Sequence, residues 1–400
     1  MAMTWGGRFE FSEPATSPRK GGPWTRAAAA CDYRTMTHDS DWTTVGDQVR
    51  QARQSSGLSQ AELGQQVGLE RTMIAKIEAG TRRVDALELI RLAAALDVSI
   101  DHLLEPRPAV FSRRVELLPE DSETDVARRS QRLEIALAGW LRDIRQMIDA
   151  GTLRAIPPTR YEGRAESEAD ARRAARWLRN ERGVHDQPLE SLLEFCERSG
   201  QYVLVTDLPG DGASLDEGDL AVAVVSRSGD PGRRRATAAH ELGHLILGDE
   251  YSNDLAVHLA REDREGLINV FAAELLLPVH AFGACPGDDD AKRESLVGLA
   301  ARYRTSWSLT LRQAEQADWL NAAQRRRWSE ATPTRAEFMD AVGWSPQPDL
   351  EAVRVPPGYS HAIMEAWRRD LVTGSRAVEL LHGTIDSEDL PVRDDSDLHP

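Results

Sequence analysis

The stretch Ala236 to Leu247, Ala-Thr-Ala-Ala-His-Glu-Leu-Gly-His-Leu-Ile-Leu, constrains this chain more than any other. It holds no proline and is rich in Ala and Leu, so the spacing predicts a helix in which residues four apart lie one above the other. His240 and His244 then present two imidazoles on one face, the arrangement of a two-pronged metal clamp. Glu241 stands beside the clamp, where its carboxylate can act as a base toward water, while Leu242, Leu245 and Ile246 point away into a core. A catalytic zinc keeps three protein ligands and leaves its fourth position open, so an acidic third ligand is expected from a later helix. Glu262, Asp263 and Glu265 compete for that place. Glu265 is preferred because Asn269 follows one turn later, where its amide can fix a ligand histidine from behind.

A chain of 400 residues exceeds what one core usually holds, so two or three domains are expected. The net charge of −16 argues against a globally basic nucleic-acid binder and leaves only local charge informative. Cys31, Cys196 and Cys285 are scattered, which predicts neither a disulfide framework nor a thiolate zinc site and suits a reduced, cytoplasmic chain. No apolar run approaches the ~18 residues of a membrane span, and no charged-then-apolar signal peptide opens the sequence, so no membrane partner is expected. Residues 1–42 mix Gly, Pro, Ser and Thr around isolated Trp5 and Trp24 and read as a disordered tail. Met36 is an alternative start just ahead of the first patterned segment.

From 43 to 106 the pattern becomes five short helices. Val45, Val49 and Ala52 fall at helical spacing, and Ser59 with Glu62 makes a capping box for a helix carrying Leu63 and Val67. A third helix with Met73, Ile74 and Ile77 inward closes at Gly80. A fourth and fifth carry Leu87, Ile90 and Ala94, then Ile100, Leu103 and Leu104. In Leu58-Ser59-Gln60-Ala61-Glu62-Leu63 and in Ile74-Ala75-Lys76-Ile77-Glu78-Ala79-Gly80 this segment resembles the Cro/C1-type helix-turn-helix of the XRE family. The resemblance implies a third helix in the major groove, with Arg71, Thr72 and Lys76 near bases and Gln60, Arg82 and Arg83 near phosphates. Seven basic side chains stand against nine acidic ones over Thr44 to Glu105, and Glu70 lies close to where a phosphate would sit. DNA binding is therefore expected to be weak at physiological salt or to need a dimer.

Residues 107–164 read as a linker, Pro106 to Pro119, and a long amphipathic helix, Asp121 to Leu153. Its stripe of Leu133, Ile135, Leu137, Leu141, Ile144 and Met147 could pair with itself in a homodimer or dock on the neighbouring domain. Residues 165–290 open with helices near Ala171–Arg182 and Leu189–Ser199. Short strands Tyr202–Val205 and Leu220–Val225 then precede the metal helix, which makes an α+β domain. Helices at Leu296–Gln316 and Thr334–Val342 and a last pair through Leu381 make 291–400 a helical C-terminal region, with Val392–Pro400 frayed.

His240-Glu241-Leu242-Gly243-His244, taken with Glu265-x-x-x-Asn269-Val270-Phe271-Ala272-Ala273-Glu274-Leu275-Leu276-Leu277-Pro278, resembles the ImmA/IrrE family of metallo-endopeptidases. Gly266, Leu267 and Ile268 depart from the more usual polar-then-Ala run before the asparagine. The resemblance implies a gluzincin-like zinc peptidase that cleaves helix-turn-helix repressors or similar regulators. The expected fold is multidomain: an all-α helix-turn-helix domain, an α+β zincin-like domain and a helical C-terminal region. The expected function is zinc-dependent endopeptidase activity, with Zn2+ on His240, His244 and Glu265 and Glu241 as base and then proton donor. Tyr251, His258 and His280 are candidate transition-state stabilisers. The alternative is a DNA-binding regulator or antitoxin-like protein whose zinc domain senses or scaffolds without proteolysis.

Overall fold

A computed structural model of the chain describes residues 40–104, 112–114, 123–248, 258–346 and 350–391. The tail to residue 39, Met36, Tyr251 and the acidic 392–400 segment lie outside the described residues. Five helices come first: α1 Ser40–Ser55, α2 Gln60–Val67, α3 Arg71–Glu78, α4 Ala86–Leu96 and α5 Ile100–Leu104. The Ser59–Glu62 capping box forms as its spacing predicts, with each side chain bonded to the other residue's backbone N–H. Val45, Val49, Ala52, Leu63, Val67, Ile74, Ile77, Leu92, Leu96 and Leu103 make the core of this unit.

The expected phase of α4 is corrected. Leu87 is 63% and Ile90 50% exposed, Ala94 is also outward, and Leu92, Ala93 and Leu96 face inward instead. The helix is apolar nearly all round, so its period alone does not select a face. A second capping box, Asp85 with Glu88, and the Arg82–Glu88 ion pair fix the start of α4. Met73, Ile100 and Leu104 likewise sit at the surface.

The long helix is α6, Glu123–Asp149. Its stripe docks on the neighbouring sheet: Leu133, Leu137, Trp140, Leu141, Ile144 and Met147 are buried against Tyr202, Leu204, Leu215, Val222 and Val224. The Trp140 indole N–H donates to the carbonyl of Tyr202 at 2.9 Å. The same helix packs against α1 and α5, so it joins the helix-turn-helix unit to the sheet.

The sheet runs β1-β3-β4-β2, built from β1 Ser112–Arg114, β2 Gln201–Thr206, β3 Gly212–Glu217 and β4 Leu220–Ser226. The segment between the helix-turn-helix unit and α6 thus holds a short strand where only a linker is expected, and β3 is a further strand. Strand β2 runs parallel to β4, and β3 is antiparallel to both β4 and β1. Both faces of the sheet are covered, which is why β2 and β4 read as continuous apolar runs. Val203, Val205, Ala223 and Val225 face α7 (Glu168–Glu181), α8 (Leu192–Arg198), α9 (Pro231–Leu247) and α10 (His258–Leu276). The alternate residues face α6, α15 (Pro357–Arg368) and α16 (Gly374–Leu380).

Between these lie α11 Asp289–Tyr303, α12 Trp307–Gln316, α13 Ala322–Ser329 and α14 Arg335–Val342. The carboxylate of Glu197 at the end of α8 accepts from the backbone N–H groups of Gly358 and Tyr359 and so caps α15. Among the described residues no helix is long and apolar enough to cross a membrane.

Candidate metal centre

Helix α9 begins firmly: Asp230 caps it by accepting from the N–H of Arg233, and Pro231 sits at its first position. It ends on Gly248 in the left-handed conformation, and between these ends almost every side chain is buried. His240 is 2% and His244 1% exposed, and Glu241 is fully buried. Leu242, Leu245 and Ile246 enter the core, as their positions predict. Gly243 allows the next helix to come close. A Cβ there would stand 2.9 Å from Ile268 Cγ2 and 3.0 Å from Phe271 Cδ1, both on α10. Close packing of α10 on α9 brings the returning acidic residue to the two histidines.

Glu265 is that residue. Its Oε2 lies 3.2 Å from His240 Nε2 and its Oε1 3.8 Å from His244 Nε2, and one ligand atom from each of the three residues falls within 4.8 Å of the others. Asp263, its competitor, is exposed, and the side chain of Glu262 lies outside the described residues. The amide oxygen of Asn269 is 3.0 Å from His240 Nδ1, so that nitrogen donates and Nε2 turns its lone pair toward the cluster. The two Nε2 atoms are 3.1 Å apart. With Nε2 of both rings facing Glu265, a cation placed among them would take one lone pair from each imidazole and charge from the carboxylate. Two imidazole nitrogens and one carboxylate are a donor set that can hold a divalent metal ion, and Glu265, about one-third exposed, leaves that side in reach of solvent.

Glu241 points to the sheet. The hydroxyl of Ser214 on β3 donates to its Oε2 at 2.6 Å, and the Gln201 amide on β2 donates to its backbone carbonyl at 2.9 Å. Gly212, two residues before Ser214 and on the same face, lets β3 lie close against the Thr237 methyl of α9, with the Val224 carbonyl of β4 beside it. A Cβ at Gly212 would lie 2.8 Å from Thr237 Cγ2 and 3.6 Å from Glu241 Oε1. Sequence reasoning misses Ser214 because it misses β3, whose Gly-Ala-Ser-Leu-Asp-Glu stretch carries little apolar alternation.

The remaining candidates are less centrally placed. His280 pairs with the Asp186 carboxylate at the surface, and the side chain of His258 is not among those described. Cys196 is enclosed in the core, and burial pushes its thiol up to about 12, so it is neither ligand nor nucleophile at neutral pH.

In the helix-turn-helix unit, Arg71, Thr72, Lys76 and Arg83 lie on or just after α3 and reach solvent. Two of the expected phosphate contacts are otherwise engaged. Gln60 donates to Glu78 at 2.9 Å, inside a network in which Arg53 also holds Glu78, and Arg82 makes a two-pronged pair with Glu88 that raises its own pKa. Glu70 begins α3 without a side-chain cap.

Comparison with known proteins returns two family matches. A helix-turn-helix family matches residues 49–103, and the IrrE N-terminal-like domain family matches residues 196–314. Among solved structures, the restriction-modification controller protein C.AhdI from Aeromonas hydrophila is 34% identical over 16% of this chain and 97% of its own, with a TM-score of 0.16. No curated protein matches the chain.

Proposed function

Starting from a chain that joins an XRE-type helix-turn-helix to an IrrE N-terminal-like domain, we propose that it is a zinc-dependent endopeptidase acting on a repressor-like regulatory protein in the cytoplasm. The observation that carries this reading is the convergence of His240, His244 and Glu265 beside a buried Glu241 held by Ser214. The three ligands would hold the ion, which would supply Lewis acidity toward a scissile carbonyl and toward water. Glu241 takes the proton of the attacking water and hands it to the leaving amine, which conserves protons over the cycle. Ser214 orients that carboxylate, and Asn269 fixes the tautomer of His240.

The division of labour proposed is a recognition unit over 43–106, a connecting segment and long helix over 107–164, the catalytic unit over 165–290 and a helical region over 291–400. Arg71, Thr72, Lys76 and Arg83 are the cations and donors offered to DNA. Gln60 and Arg82 join them only by giving up Glu78 and Glu88, which agrees with weak or dimer-dependent binding.

The test is to incubate the purified protein, with and without chelator, with the helix-turn-helix repressor encoded beside its gene. About one zinc per chain and chelator-sensitive cleavage are expected. Transcriptional regulation that persists with no cleavage, and equally in wild type and Glu241→Gln, favours a sensing or scaffolding role instead.

A further inference from the structure

Strand β3 and helix α9 meet in steps of nearly equal length. Two residues along a strand advance about 6.6 Å and four residues along a helix about 6 Å, so a contact made once recurs at every second strand residue and every fourth helix residue. The first step sets Gly212 against Thr237, where a Cβ on the glycine would stand 2.8 Å from Thr237 Cγ2. The second sets Ser214 on Glu241, with the hydroxyl donating to the carboxylate at 2.6 Å. The third joins Asp216 to Leu245 through Arg160. One guanidinium nitrogen of Arg160 is ion-paired with the Asp216 carboxylate, and another donates to the Leu245 carbonyl at 3.1 Å.

We infer that Arg160 is a positioning residue for Glu241: it locks the register of α9 on β3, and through that register keeps the Ser214 hydroxyl on the candidate base. The inference rests on the peptidase reading of the site. The Asp216 side chain is only 8% exposed, so its charge needs the guanidinium beside it, and the ion pair ties Arg160 to the strand. On the helix side, the Leu245 carbonyl is one of the four that a helix end leaves without an intrahelical partner, and the backbone N–H of Tyr161 takes the next one, Ile246, at 2.8 Å. Residues 160 and 161 thus grip the last turn of α9, one turn beyond Glu241. A planar fork serves two acceptors in a fixed geometry, as a single ammonium does not. The Ser214–Glu241 bond is lost if its partners slide apart by about 1 Å, so the neighbouring step that opposes sliding sets where the base points. Arg160 comes from the segment that joins α6 to α7, ahead of the residues 196–314 that match the IrrE N-terminal-like family.

The test uses the full chain and Arg160→Met, which keeps the stem and removes the fork. Amide exchange of the chelator-treated protein, followed by mass spectrometry, should be at least about 5-fold faster over residues 212–217 and 241–247 in the variant, with residues 296–303 of α11 unchanged. Unchanged exchange over the first two segments overturns the lock. Zinc content should equal that of wild type, because the three ligands sit between α9 and α10. Loss of zinc from the variant would place Arg160 behind the metal instead of the base and overturns the assignment.

A second arm follows cleavage of the helix-turn-helix repressor encoded beside the gene. Arg160→Met should lower kcat about 10-fold with KM unchanged. Added to Ser214→Ala, it should slow cleavage by no more than about 2-fold further, because the bond that Arg160 protects is already gone. An unchanged kcat, or a double variant slowed by the product of the two single effects, shows Arg160 acting apart from Ser214 and Glu241 and overturns the proposal. Should Arg160→Met fail to fold by circular dichroism, Asp216→Asn breaks the same bridge without leaving a bare buried charge and carries the same expectations. Faster exchange in the variant with no cleavage by wild type leaves the register lock standing and removes the peptidase reading. Cleavage by both proteins at equal kcat does the reverse.

Discussion

Glu241 is fully buried, and the Ser214 hydroxyl on its Oε2 sets where its charge points. A hydrogen bond to a charged group is worth about 1.5–3 kcal/mol, so Ser214→Ala should lower kcat/KM about 10- to 100-fold with zinc content unchanged, and Ser214→Thr should recover most of it. Unchanged cleavage by Ser214→Ala would show that Glu241 is oriented by other groups. For the ligands, Glu265→Ala should lose the metal while Glu262→Ala keeps it, and Asn269→Ala should weaken zinc affinity about 10- to 100-fold as read by competition with a chromogenic chelator. Loss of zinc from Glu262→Ala would move the third ligand. The histidine pair and its glutamates are legible in sequence because helical spacing alone puts positions 240 and 244 on one face and lets a later helix return a carboxylate. Ser214 is not, because its partner stands 27 positions away and only the sheet register joins them.

At the scale of elements, α7, α10 and α12 are stapled by one buried carboxylate. Glu274 is fully buried, lies 3.2 Å from Arg172 and 3.1 Å from Arg176, and accepts from Gln313 and from the N–H of Val279. Breaking a buried pair by removing one partner costs about 3–5 kcal/mol, so Glu274→Ala should lower urea stability by about that amount, toward the lower end because Arg176 is part-exposed. A loss under about 1 kcal/mol would count against a structural role. In α14, Glu337 accepts from Arg293 and from the Thr334 backbone, and these hold its carboxyl at about 2, well below its ordinary 4.5. A depressed pKa stabilises the fold above the ordinary value and loses that contribution as pH falls toward the folded one. The advantage of wild type over Glu337→Gln in thermal unfolding should therefore be full above pH 4.5 and shrink toward pH 2; an advantage that grows on acidification has the wrong sign. The helices of the first unit are legible through their caps, Ser59 with Glu62 above all. The phase of α4 is not, since apolar residues lie on most of its faces and packing of Leu92, Ala93 and Leu96 into the core of the unit is not written in the helix's own period.

Across the whole molecule, α6 is the shared part: its apolar stripe belongs to the sheet and its flank to α1 and α5. Sequence leaves open whether that stripe serves a dimer or a neighbour, because an amphipathic helix looks the same in both cases. With the stripe spent on the sheet, a dimer would need another surface. On the proposed function, the helix-turn-helix unit would deliver the metal-site unit to its substrate and raise its effective concentration there. Deleting residues 43–106 should slow cleavage of a full-length repressor and leave a short peptide nearly unaffected. If DNA is the route, Arg71→Ala with Lys76→Ala should abolish operator binding, whose salt slope falls by about 1 for each phosphate that a side chain no longer neutralises. All of this depends on the metal cluster being a peptidase centre. The most direct measurement compares wild type and Glu241→Gln, both analysed for zinc, on the neighbouring repressor by mass spectrometry. The account predicts equal zinc, one discrete cleavage by wild type, and a rate lower by about 10²- to 10⁴-fold for the variant. Equal cleavage by the two proteins, or zinc-loaded wild type that cuts nothing, contradicts it.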